Sequence, residues 1–246
     1  MPNENSDIFN NKKEDFLAEI GRGAAGAIPF VGTFVGELIT NIIPGQRIDR
    51  IAKFLDELNK RVTELEVNVQ EKMQHPENVD LFEEGCYQAC RAVTKERLNY
   101  IVNLVAHGIG DDVANYVQNK KMLTILSSLN DMEVLLVLAY ADNPTPGNPG
   151  LFGTHPELTP MPAYIGAPKE IIEPALMNSA YKNTLVEKGL IKETFPFVRR
   201  GELPEFDTIS GKFKSSGYQI TPFGRMFAQW VKHDYEEGNV KGNMKK

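Results

Sequence analysis

The sequence predicts a mainly α-helical protein: a helical bundle with one long heptad-seam helix, then a C-terminal winged helix-turn-helix with a small β-wing. Three observations carry this. Apolar residues recur at helical spacing through most of the first 140 positions. Between residues 46 and 73, Ile48, Ile51, Leu55, Leu58, Val62, Leu65 and Val69 are spaced alternately by three and four, a heptad pattern. Finally, the helical run from Ala175 to Lys188 stops at Gly189. A short apolar strand at Leu190-Ile191, a polar and basic excursion, a return strand at Gly217–Ile220 and a capped helix from Thr221-Pro222 to Trp230 follow.

Composition bounds the answer before any motif does. The 246 residues suit one large domain or two small ones, and 41% apolar with 24% charged is ordinary for a globular chain. The formal charge is −6, which argues against wholesale coating of nucleic acid. It is distributed unevenly. Residues 1–180 hold 15 Lys/Arg against 25 Asp/Glu, a net of −10, and residues 181–246 hold 12 against 8, a net of +4. The two cysteines, Cys86 and Cys90, lie one helical turn apart with no second Cys/His pair near them in sequence. They are expected to be partly buried thiols rather than metal ligands or a redox pair, as suits a reducing cytoplasm. The polar, acidic start at Met1–Asp7 is no signal peptide.

The elements divide the chain into residues 1–76, 77–128, 129–234 and a charged tail at 235–246. A short amphipathic helix is expected over Asp7–Ile20. In the Gly-rich apolar segment at 21–43, Pro29 opens a helix whose rows include Phe30, Phe34 and Leu38, with Gly32 and Gly36 as a smooth ridge. Pro44-Gly45 ends it, the seam helix occupies 46–73, and His75-Pro76 ends that. Asn78 is expected to cap a helix carrying Leu81, Cys86, Cys90 and Val93. Further helices are expected from Lys95 to Gly108-Ile109-Gly110 and from Asp112 to Ser128. Asn130-Asp131 caps Met132–Tyr140, which is apolar on most sides and so reads as the most buried helix of the winged domain. Residues 143–168 hold seven Pro and four Gly, an insertion of a length that is usually functional, disordered or a linker. The second and third helices of the winged domain are expected at Lys169–Met177 and Ser179–Lys188.

Several motifs invite chemistry and fail on context. Gly21-Arg22-Gly23-Ala24-Ala25-Gly26 matches a dinucleotide fingerprint, but it follows a helix, and no strand with a terminal acidic residue comes later. The four histidines, His75, His107, His155 and His233, are scattered. The acidic pairs Glu83-Glu84 and Asp111-Asp112 point apart on a helix and read as solvated faces. No catalytic residue, cofactor or metal is expected.

Three interaction surfaces remain. Pro29, Phe30, Gly32, Phe34, Gly36 and Leu38 form an assembly or membrane-active element. A helix of about 15 residues spans about 22 Å, short of the roughly 30 Å hydrocarbon core, so burial competes with conditional membrane contact. The seam residues Ile48, Ile51, Leu55, Leu58, Val62 and Leu65 pack either within the chain or against a second copy. In the winged domain, Asn178, Lys182, Asn183 and Glu187 are the expected outward positions of the third helix, with Tyr181, Leu185 and Val186 inward. Lys182, Asn183, Arg199, Arg200, Lys212, Lys214 and Arg225 are the candidate contacts to DNA phosphate or to a protein partner.

The stretches Phe82–Ile101, Leu123–Asp131, Leu185–Ile191 and Tyr218–Arg225 resemble the Abi-alpha group of phage abortive-infection proteins, over about residues 80–230. The resemblance implies a bacterial phage-defence or prophage-encoded role and transfers no catalytic residue. The expectation is therefore a non-enzymatic defence protein, cytoplasmic and membrane-associated on activation. Its winged helix would sense or bind a partner, and its Gly-rich segment would assemble or act on membranes. The alternative is a DNA-binding transcriptional regulator.

Overall fold

The computed structural model describes residues 45–142, 149–198, 203–207 and 211–232. They form a mainly helical chain with two small antiparallel β-ribbons. The Gly-rich segment, with Pro29, Phe30, Gly32, Phe34, Gly36 and Leu38, lies outside the described residues. So do Arg199, Arg200 and the charged tail. The chain divides into two compact units, Met1–Ser127 and Ser128–Lys246. The expected boundary at 76/77 falls inside the first unit, and the one at 128/129 falls beside the junction.

In the N-terminal unit, α1 (Gly45–Glu64) packs against α3 (Pro76–Arg91) and α4 (Lys95–Gly110), with the single-turn α2 (Val69–Lys72) between them in sequence. The seam row is interior. Ile51, Leu55, Leu58 and Val62 are essentially inaccessible, as is Phe54, so this row's apolar surface is removed from water. Of the two options for the seam, packing within the chain is the one realised at these positions. The expected continuation to Met73 is not. After Glu64 the chain takes a left-handed residue at Glu66 (φ 52°), and the Val67 N–H reaches back to the Val62 carbonyl at 3.0 Å. This six-residue closure ends a helix. Leu65 consequently leaves the row and is exposed. Val69 is buried in α2, where the Asn68 side chain accepts from the Glu71 N–H.

The start of α3 also departs from expectation. Pro76 occupies its first position after an extended His75, a place where a missing N–H costs little. Asn78 is a buried helical residue whose Nδ2 donates to the Lys72 carbonyl at 2.9 Å. Thr94 caps α4 by accepting from the Arg97 N–H. Gly85 sits where three helices converge: a Cβ there would meet Val105 Cγ2 at 2.6 Å and Phe54 Cζ at 3.0 Å. A one-turn 3-10 helix (Val113–Asn115) leads into α5 (Tyr116–Ser128). Side chains fasten α5 to α3: Tyr116 and Lys120 both donate to Asp80, and Gln88 donates to the Leu123 carbonyl.

In the C-terminal unit, α6 (Asp131–Ala141) packs against α8 (Lys169–Glu187) and α9 (Pro222–Lys232). A capping box starts α6: Asn130 accepts from the Glu133 N–H, and Glu133 accepts from the Asn130 N–H. Val134, Leu136, Val137, Leu185, Leu190, Phe227 and Val231 form the core. Within the expected insertion, the described residues hold the single-turn α7 (Leu151–Thr154) and a 3-10 turn at Pro156–Leu158. Tyr140 meets Phe152 edge-on at 5.2 Å.

The two helices expected at 169–177 and 179–188 are one continuous helix. Pro174 removes one hydrogen bond near its start without ending it. Asn178, expected to face outward at the turn, is buried and donates to the Leu158 carbonyl at 2.9 Å. Gly189 at φ +72° closes α8, with the Leu190 N–H bonded to the Leu185 carbonyl. β1 (Ile191–Thr194) then pairs antiparallel with β4 (Gly217–Ile220), Ile191 opposite Ile220 and Thr194 opposite Gly217. The connection between them carries the second ribbon, β2 (Phe206–Asp207) with β3 (Lys212–Phe213). Thr221 closes the unit. Its hydroxyl lies 2.6 Å from the Gly189 carbonyl and accepts from the Gly224 N–H at 2.9 Å.

Candidate interaction surface of the C-terminal unit

The expected basic character of the long hairpin from β1 to β4 rests largely on Arg199 and Arg200, outside the described residues; its described part exposes large apolar side chains. Phe197 and Leu203 are each 92% exposed, and Phe195, Phe206 and Phe213 are each more than half exposed. These side chains are contiguous. The Phe206 and Phe213 rings meet edge-on at 6.0 Å. Phe195, Phe197, Leu203 and Phe213 line one open groove of about 370 Å³. Phe195 and Phe213 also border a second groove, of about 590 Å³, whose floor is Val186 and Ile191. Ser216 and Ser215 hydrogen-bond the Thr194 carbonyl, and the Lys214 N–H bonds the Glu205 carbonyl at 2.8 Å. These bonds hold the hairpin's two arms together.

The candidate cations of the hairpin and α8 are largely engaged. Lys214 pairs with Glu205 at 2.9 Å. Lys182 is half-buried, with its Nζ 5.4 Å from the centre of the Tyr218 ring, and burial lowers the pKa of its ammonium. A cation stacked on a ring and partly desolvated is committed to the fold. Asn183 is exposed and Arg225 is half-buried. Lys212 contributes its backbone to β3 opposite Asp207. The structure thus brings Lys182 to Tyr218 and Lys214 to Glu205. A second set of exposed apolar residues, Met161, Tyr164, Ile165, Leu176 and Met177, lies before and on the first half of α8.

The chemistry-bearing residues of the N-terminal unit serve its architecture. Cys86 and Cys90 are buried free thiols, and burial pushes the Cys86 thiol well above its ordinary range. The acidic pairs are more than solvated faces. Glu84 accepts from Gln88, and Asp111 accepts from the side chains of Asn115 and Asn119. Burial works to raise the Asp80 pKa, but bonds from Lys120 and Tyr116 outweigh it and hold the carboxyl below its usual value. Among the described residues, no group of three or more His, Cys, Asp or Glu side chains is placed to hold a metal. Among them too, no single helix is long and apolar enough to cross a membrane.

Sequence reasoning passed over the aromatic hairpin because Arg199-Arg200 dominated the reading of that stretch. A signal was present. Phe195-Pro196-Phe197-Val198 and Leu203-Pro204-Glu205-Phe206 are largely apolar runs inside this otherwise polar stretch. Prolines exclude them from a central strand, so their large side chains had no interior to enter. Comparison with known proteins adds no further constraint: no family model, curated protein or solved structure matches the chain.

Proposed function

We propose that the C-terminal unit is a winged-helix-like module that docks a protein, and that the chain is a non-enzymatic protein of bacterial phage defence. The observation that carries the docking reading is the cluster of exposed aromatic side chains on the β1–β4 hairpin. Isolated exposed apolar residues are ordinary, but a contiguous patch bordered by polar residues marks an interaction surface. Aromatic residues are the usual anchors of such surfaces. The winged-helix reading is supported by the order of parts. α6 and α8 pack together, a strand pair follows α8, the hairpin takes the place of the wing, and α9 follows the return strand. The defence role is supported by the resemblance carried by Phe82–Ile101, Leu123–Asp131, Leu185–Ile191 and Tyr218–Arg225. The partner is a protein, and the chain works in the cytoplasm. Action of the 21–43 segment on a membrane after activation belongs to the same proposal.

The alternative, a DNA-binding regulator, is favoured by the net charge of +4 over residues 181–246 and by exposed Asn183 and Lys192. The two readings separate in a titration of fluorescent duplex DNA at low and high salt. The docking reading expects no binding at low salt. Binding that weakens linearly on a log–log salt plot reports counterion release from phosphate contacts. If that slope also shrank in Lys192→Glu, the module would be a DNA binder.

A further inference from the structure

We infer that the occupant of the hairpin's aromatic surface is a second copy of this chain, so that the protein is a dimer joined hairpin to hairpin. The inference rests on the docking reading and names the partner. Two observations support it.

The first is area. At roughly 200 Å² per phenylalanine, the exposed fractions of Phe195, Phe197, Phe206 and Phe213 amount to on the order of 500 Å². Leu203, almost wholly exposed, adds to this. One such patch is the size of the largest found on an ordinary monomer, roughly 300–600 Å². Two of them face to face remove more than about 1,000 Å² of surface, at the lower edge of what specific interfaces bury.

The second is charge. The described rim carries Lys192 and Glu193 on β1 and Glu205 and Lys214 beside the ribbon, two of each sign. A two-fold axis brings a surface onto itself, so each residue meets its counterpart's neighbours. A rim of one sign would repel its copy, and a balanced rim does not.

The seam on α1 does not compete for the role, since Ile51, Leu55, Leu58 and Val62 are already buried within one chain.

Sedimentation equilibrium of the full chain tests the inference, comparing wild type with the double variant Phe197→Ser/Leu203→Ser. Both positions are almost fully exposed in the single chain, so at concentrations below the dimer's dissociation constant the variant should melt at the wild-type temperature. The expected result is a wild-type dimer whose dissociation constant rises at least about 100-fold in the variant, since each interface loses two anchors from each copy. A wild type that remains monomeric up to about 100 μM overturns the inference. So does a variant that melts normally and dimerises as tightly as wild type. The docking reading falls separately, if exchanging the same two residues also leaves the protein's biological output unchanged.

Discussion

Replacing Leu58 by alanine tests the placement of the heptad row inside the chain. Leu58 is fully inaccessible on α1, in the row with Ile51, Leu55 and Val62. Truncation to alanine removes buried methyl groups and leaves a void between α1 and the helices packed on it, at a typical cost of about 2–5 kcal/mol. In a unit of this size each kcal/mol lowers the melting temperature by about 3–5 °C, so a loss of at least about 6 °C is expected. Leu65 supplies the control. It belongs to the same heptad pattern in sequence but is 39% exposed in the turn that follows α1, and Leu65→Ala should cost under about 1 kcal/mol. Far-UV circular dichroism follows the helices as they melt. Trp230, the single tryptophan, lies on α9, so its fluorescence follows the C-terminal unit separately. Equal losses for the two variants would refute the interior placement, as would a Leu58→Ala chain melting like wild type. Either result would reopen the seam as a contact between copies.

Two further predictions concern titratable groups. Cys86 is buried and its thiol is held protonated well above the ordinary range, and Cys90 is buried beside it. An aromatic disulfide reagent at pH 8 should therefore label neither residue faster than the chain opens; rapid labelling under native conditions would contradict this. Burial lowers the His107 pKa, against a weaker raising pull from Asp111. A group depressed in the folded state contributes stability above its unfolded pKa, which is lost as pH falls. Melting temperature should thus decline as pH drops below about 6.5, and His107→Gln should flatten that limb. Parallel curves for the two chains would show that His107 does not carry it.

The helices of the N-terminal unit were legible because their apolar residues keep a strict period, and the start of α6 because Asn130 announces it. The true end of α1 was not. Its left-handed terminating residue is Glu66, where glycine or asparagine is the usual sign, and the heptad spacing runs on through Leu65 and Val69 although the backbone does not. The capping role given to Asn78 failed for a related reason: the residue type suits a cap, but Pro76 had already opened the helix two positions earlier. In the C-terminal unit, Gly189 and the strands at 190–191 and 217–220 were readable from turn chemistry. The continuity of α8 was not, because Asn178 satisfies its amide on the Leu158 carbonyl, a partner 20 residues away. The candidate site was legible in position but not in character. Local sequence shows Arg199-Arg200 and the lysines. It does not show that Lys214 closes on Glu205 and Lys182 on Tyr218, which are contacts across 9 and 36 positions.

Phage plating on cells that carry the wild-type chain, the Phe197→Ser/Leu203→Ser variant or the variant Lys192→Glu, reversed at an exposed lysine of β1, at matched expression, tests the central claim most directly. The account predicts that wild type lowers plating efficiency, that loss of the two patch anchors restores it, and that reversal of Lys192 leaves protection intact. Protection that survives without the anchors but fails without that lysine would contradict the account, and so would a wild-type chain that gives no protection.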